Sequence, residues 1–289
     1  MRRTAVAVAL AVALTEAGLA QEPPPGPAPA VPASGLPLAG EEAEAFLRTA
    51  AVVSRQPLGE GVTRSERLTL RDGTRTCRAA WKTIHERKMG LQRLERGGLE
   101  FDFRDSWKSE VAAWELDKLL GLGLVPPTVE RRIGGRTGAL QMWVEGAMTE
   151  DEMVRRHPEP PDLAAWNAQM YRVRLLHQLT YNTDHRNVHN VLVDASFRLY
   201  AIDSSRAFRI QQELMAPDDL VRFSRDVLER LAALDRPTVE ARLGPQGFRG
   251  RDLPGLADAG GPAGLQPRVA VSWVVVRGDD KKPTGVFDG

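Results

Sequence analysis

Cysteine is almost missing from this chain of 289 residues: there is one, Cys77. An internal disulfide and a cysteine-built metal centre are therefore excluded, and Cys77 reads as a small core or strand residue. Neither sign of charge dominates, with 39 basic against 38 acidic residues, so no chain-wide basic surface waits for nucleic acid or an acidic membrane. Long apolar runs are missing too. The run Ala5 to Leu14 falls far short of the roughly 20 residues that span a bilayer, so no stable membrane insertion is expected. There is no P-loop, no G-x-S-x-G elbow, no nucleotide-binding βαβ unit and no internal repeat.

What is present starts with an export signal. Met1-Arg2-Arg3 is basic, Ala5 to Leu14 is apolar, and Gly18-Leu19-Ala20 ends in small residues before Gln21, the layout of a cleavable secretory segment over residues 1–20. This predicts a periplasmic or extracellular protein. Residues 21–40 are rich in Pro, Ala and Gly and read as a spacer. A short helix is expected over 41–53, with Ala45, Phe46, Ala50 and Val53 as its apolar positions.

Gly59 and Gly61 then sit in a turn ahead of the alternating strand around Leu68 and Leu70, and Asp72-Gly73 signals a hairpin. A glycine turn lets backbone amides approach a phosphate because no Cβ intervenes. The returning strand, residues 79–84, carries Lys82 among apolar neighbours. A strong helix pattern follows over 106–120, closed by Gly121, with Trp107, Val111 and Trp114 on its apolar stripe. Glu110 lies on the same stripe. A carboxylate there requires a cation, and Lys82 is the candidate.

Two more strands, 128–133 and 138–144, lead through Trp143-Val144-Glu145 to a break at Gly146 that reads as a hinge. Polar residues 149–161 follow, and Asp162 caps a helix running to Leu179. Then comes YNTDHRNVHNVLVDASFRLYAIDSSRAF, residues 181–208, around which the chain is organised. Its two apolar runs, 191–193 and 199–202, form a hairpin with Asp184, Asn187 and Asn190 at the entrance and Asp203 at the exit. Carboxylates and amides so gathered suit a hard cation such as Mg²⁺. Helices are expected over 217–233 and 237–243, and residues 244–289 are aperiodic apart from the apolar run 269–276. A zinc reading of His185 and His189 lacks the glutamate of H-E-x-x-H, and the polar turn disfavours a helix.

The order of these parts resembles the protein-kinase-like fold, in its atypical branch. HipA-type kinases, phosphatidylinositol-kinase-like enzymes and secretory-pathway kinases of the Golgi casein kinase type carry similar turns, and the export signal points to a bacterial-type exported member. The resemblance covers residues 57 to about 235. It implies an α+β, two-lobed architecture, with an antiparallel-sheet N-lobe over 41–146, a mainly helical C-lobe over 147–243 and an irregular tail. It also implies an ATP- and Mg²⁺-dependent phosphotransferase acting on an unidentified hydroxyl acceptor. In such an enzyme Gly59 and Gly61 cover the phosphates, Lys82 held by Glu110 contacts them, and residues 143–145 line the nucleotide site. Asp184 orients the acceptor hydroxyl or takes its proton, and Asn190 and Asp203 ligate the metal. The family places its Asn five residues after the Asp. Here that position is His189, and Asn190 comes at six, with Asn187 the other possible ligand. A bulged loop would absorb the extra residue. Misplacement of Asp184 would instead leave a pseudokinase, a binding module for nucleotide or protein.

Overall fold

The computed structural model describes residues 34–58, 65–93, 98–211 and 213–248, together with the backbone of Val286 and Phe287. The predicted export signal and residues 21–33 of the predicted spacer lie outside these residues, whereas Leu36 and Leu38 of that spacer pack against the first core. The first helix, α1 (Gly40–Thr49), buries Ala43, Phe46 and Leu47 and ends earlier than its periodicity suggests. Ala50 turns extended, and the β-branched residues that follow join β1 (Ala51–Pro57), which leaves Val53 exposed.

β1 pairs antiparallel with β2 (Glu66–Asp72), and β2 with β3 (Arg75–Lys82). β3 pairs on its other edge with β7 (Arg136–Met142), whose far edge holds β6 (Thr128–Ile133), giving the antiparallel order β1-β2-β3-β7-β6. One face of this sheet packs Leu68, Leu70, Ala79, Trp81, Leu140 and Met142 with α1 into a core of its own. Gly138 on β7 is required by proximity, since a Cβ there would lie 2.3 Å from the Lys82 carbonyl oxygen.

Between β3 and the next helix the chain inserts a second hairpin, β4 (His85–Arg93) with β5 (Leu99–Ser106), which forms a separate two-stranded sheet. Helix α2 (Trp107–Leu120) starts where Ser106 accepts a bond from the Lys108 amide (3.2 Å) and stops at Gly121, whose φ of 63° favours glycine. Its interior face belongs to the larger core, shared with the helices of the second lobe.

That lobe begins with β8 (Met148–Thr149) and α3 (Glu150–Arg156). The Thr149 and Glu152 side chains bond each other's amides reciprocally, so the first half of the polar stretch 149–161 is a capped helix. α4 (Leu163–Leu179) is capped by Asp162 as expected, through the Ala164 and Ala165 amides. β9 (Val191–Val193) and β10 (Leu199–Ala201) form the central hairpin, and β9 also pairs with β8.

A continuous helix over 217–233 is not found. Pro217–Asp219 is a single 3-10 turn, and Phe223–Ser224 is the strand β11 ahead of α5 (Arg225–Ala233). β11 pairs in parallel with β12 (Val286–Phe287), and a ladder at 223–224 is incompatible with helix there. After α6 (Arg236–Leu243) the packed chain runs to Phe248, which is buried with its ring 4.7 Å from that of Phe208. The architecture is α+β, with two packed cores: one under the five-stranded sheet, the other among the helices that follow.

Candidate active site

The sheet and the helix deliver opposite charges to one point. Lys82 is the last residue of β3, and its Nζ donates to Glu110 Oε1 at 2.7 Å and to Asp203 Oδ1 at 3.0 Å. Glu110, on the first turns of α2, is 1 % exposed and accepts a second bond from the Ser204 amide (3.0 Å), so both its oxygens are engaged. Burial by itself would lower the Lys82 pKa, but the charges of Asp203 and Glu110 outweigh it and hold the ammonium above the ordinary lysine range. The same ammonium depresses Asp203 against the effect of burial. Glu110 is raised, because its complete burial exceeds what Lys82 returns.

Asp203 adopts the left-handed conformation (φ 57°), rare for a residue with a side chain. Its carboxylate turns toward Lys82 and also accepts from Ser205 Oγ (3.3 Å). The residues that follow are stitched to the N-terminal hairpin. The Ser106 amide donates to Ser205 O (2.9 Å), Ser109 Oγ to Ala207 O (3.3 Å) and Arg104 Nη1 to Phe208 O (2.8 Å). In return the buried Arg209 guanidinium donates to the carbonyls of Asp102 (2.7 Å) and Arg104 (3.0 Å), and both Arg206 and Arg209 pair with Glu100. The β4-β5 hairpin thus clamps the segment that aims Asp203.

The polar turn is built locally. Segment 182–190 is a succession of turns, not a helix, and the His185 ring bonds Asn182 O (2.9 Å). The Asp184 amide donates to Asn182 Oδ1 (3.0 Å), and its Oδ2 accepts from Asn190 Nδ2 (2.9 Å) and Asn187 Nδ2 (3.1 Å). Two consecutive turns absorb the residue that the motif comparison counts as extra. Asn187 N bonds Asp184 O (3.1 Å) and Asn190 N bonds Asn187 O (2.9 Å), which leaves His189 exposed and carries Asn190 inward. Asn190 is buried and its carbonyl accepts from Ile202 N (2.9 Å), tying the hairpin's entrance to its exit beside Asp203. Asn187 also accepts from the His189 amide (3.2 Å), so both ends of its side chain brace the turn. Below lies buried His177, its ring 6.3 Å from that of His185; burial pushes its pKa down to about 4.

Residues 143–145 contribute unequally. The Trp143 ring lies against the guanidinium groups of Arg67 (5.6 Å) and Arg78 (5.8 Å). Glu145 pairs with Arg78 through its side chain and with Gly35 through its backbone, N to O at 2.8 Å in both directions. Val144 lies between them, buried, and among the described residues nothing bonds its amide or carbonyl. Gly59 and Gly61 lie outside the described residues.

Two features escaped the sequence reading. The β4-β5 hairpin was legible in the alternation of Leu99, Phe101 and Phe103 with Glu100, Asp102 and Arg104. Asp105, buried at the end of β5 next to the Asp203 cluster, had no signal of its own. Its carboxyl is raised first by burial and then by Asp203, with Ser205, Arg206 and Lys82 opposing.

No protein-family model matches the chain, and no curated protein does. Solved structures do. A hydra Fam20 structure with sugar superposes with a TM-score of 0.59 at 14% identity, over 85% of this chain and 91% of that one. The Golgi casein kinase gives 0.57 at 12% identity, over 88% and 79%. Its form with Mn/ADP bound gives 0.55 at 11%, over 86% and 79%. At these identities the likeness is one of fold, the kinase-like fold of the Fam20 secretory-pathway kinases.

Proposed function

We propose that the chain is an ATP-dependent phosphotransferase of the atypical kinase-like class, exported by residues 1–20 and transferring a phosphoryl group to a hydroxyl acceptor. The observation that carries this reading is the ion-paired triad Lys82-Glu110-Asp203, drawn from a strand, a helix and a strained loop and held by short bonds in the lobe junction. Such buried charge is costly to keep, and a phosphate-binding site gives it a use. The Mn/ADP held by one structure of the same fold supports the choice of ligand.

The donor set fits a hard cation: oxygen ligands are available from Asp203 and from the amide of Asn190, whose nitrogen is engaged by Asp184. A Mg²⁺-class ion held there would screen charge developing on the transferred phosphoryl. Lys82, kept protonated by its two carboxylates, orients phosphate oxygens. Glu110 fixes Lys82, while the Ser204 bond ties that carboxylate to the loop that aims Asp203. Asp184, held by two amides on one oxygen, orients the acceptor hydroxyl and receives its proton. Buried Val144, whose amide and carbonyl have no partner among the described residues, reads the base edge, whereas Trp143 and Glu145 support it from behind. Gly59 and Gly61 cover the phosphates in this reading.

The pseudokinase reading drew on the extra residue before Asn190, which the two turns accommodate without separating Asn190 from Asp184. The test is thermal denaturation of the full chain with and without Mg²⁺-ATP, followed by autophosphorylation. The reading expects stabilisation of the wild type and loss of phosphate transfer in Asp184→Ala and Asp203→Ala. No stabilisation by Mg²⁺-ATP, or equal transfer by all three proteins, would sink it.

A further inference from the structure

Three carboxylates, those of Glu110, Asp203 and Asp105, crowd the inner end of the cleft and act on one ammonium, Lys82. The next cation, Arg206, is engaged by Glu100. At their formal charges the cluster carries an excess of two negative charges, the amount one divalent cation neutralises.

Asp105 is the group left over. It is 8 % exposed, and its Oδ1 is completely enclosed yet has no hydrogen-bond partner among the described residues. The Ser205 hydroxyl, with a single proton to give, serves both Asp105 and Asp203 Oδ1 (3.3 Å), so these two carboxylates flank one side chain. A buried carboxylate oxygen without a donor is expensive, and native proteins keep such a group when something else binds it. Ser106, the next residue, bonds Ser205 O through its amide, which holds Asp105 against the Asp203 loop.

We propose that Asp105 binds the same divalent cation as Asp203, approaching it from the β5 side. The inference deepens the phosphotransfer reading and rests on it. Among the described residues no three acidic, imidazole or thiol groups are arranged to hold an ion on their own. Asp105 and Asp203 instead contribute two carboxylates, the number Mg²⁺ takes when phosphate oxygens and water complete its shell. Asp105 thereby links the inserted hairpin to the metal.

The experiment measures free Mn²⁺ by its electron paramagnetic resonance signal, in the presence of ADP, for the full-length wild type, Asp105→Asn and Asp203→Asn. Melting temperatures without metal are recorded alongside. The expected result is binding weakened at least fivefold in Asp105→Asn, with a metal-free melting temperature equal to or above wild type, because one of the excess buried carboxylates has been removed. A purely structural role would lower the melting temperature and leave Mn²⁺ affinity alone. Affinity within that fivefold limit in Asp105→Asn, with Asp203→Asn clearly weakened, overturns the assignment of Asp105 and leaves the phosphotransfer reading standing. Absence of Mn²⁺-ADP binding in the wild type removes both. If Asp105→Asn does not fold, Asp105→Ser is read by the same criteria.

Discussion

The two halves of the candidate site are built in opposite ways. The charge cluster joins Lys82, Glu110 and Asp203 across sequence separations of 28 and 121 residues, with Glu110 wholly buried. The polar turn joins Asp184, Asn187 and Asn190 within a few residues, through side-chain hydrogen bonds between the half-buried Asp184 and Asn187 and the buried Asn190. The first exists only if both lobes have packed, and the fold depends on its charges cancelling. The second is a local structure that folds around its own hydrogen bonds. Damage to the cluster should therefore register as lost stability, and damage to the turn as lost activity.

The largest effect is expected in Lys82→Met. It strands Glu110 and Asp203 as uncompensated carboxylates, and urea denaturation at pH 7 should show a loss of about 3–5 kcal/mol together with loss of phosphate transfer. A loss below ~1 kcal/mol would mean that the cluster is not what the packing depends on. Asp184→Asn should do the reverse. Transfer should fall by roughly 10²–10⁴-fold while unfolding free energy stays within about 1 kcal/mol of wild type, because the amide keeps its place in the turn.

A pH series sharpens the contrast further. His177 is held neutral by burial, with its pKa down to about 4, whereas in the unfolded chain it protonates near ~6.5. Its contribution is complete above the unfolded value and is lost as pH falls toward about 4. Between pH 7 and pH 5 this removes on the order of 2 kcal/mol, and His177→Gln should flatten that slope. The depressed carboxyl of Asp203 works lower, its share of stability being lost only as pH falls below the ordinary aspartate range. The smallest effect belongs to Asn187→Ala, which removes one of two donors to Asp184 Oδ2. Stability should change by less than ~1 kcal/mol and transfer rate by no more than about tenfold.

The same contrast explains what could be read in advance. Helix α2 with its cap and terminal glycine, helix α4 with Asp162, and the β9-β10 hairpin all carry local signals, and their spans agree closely with the periodicity. The kinase-like order of parts follows from them. Two expectations failed where tertiary contacts outrank local preference. Val52 and Val53 continue the apolar pattern of α1 but are drawn into an edge strand. Residues 223–224 suit a helix but pair with β12. The sequence left open how the extra residue before Asn190 is accommodated, because counting along a chain cannot register two successive turns that return the backbone to Asp184.

Composition and local pattern alone therefore determined the order of the elements and singled out Lys82, Glu110, Asp184 and Asp203 as candidates. Propensity, capping and periodicity act over a few residues and leave their marks in the chain. Only the tertiary structure decided that Asp203 shares the Lys82 ammonium with Glu110, that Asp105 Oδ1 has no hydrogen-bond partner among the described residues, and that an inserted hairpin grips the Asp203 loop through Arg206 and Arg209. Those outcomes depend on burial and on meetings between residues far apart in the chain, 28 positions for Lys82 and Glu110 and 121 for Lys82 and Asp203, and the energy of a buried charge is set by neighbours that its own sequence segment does not specify.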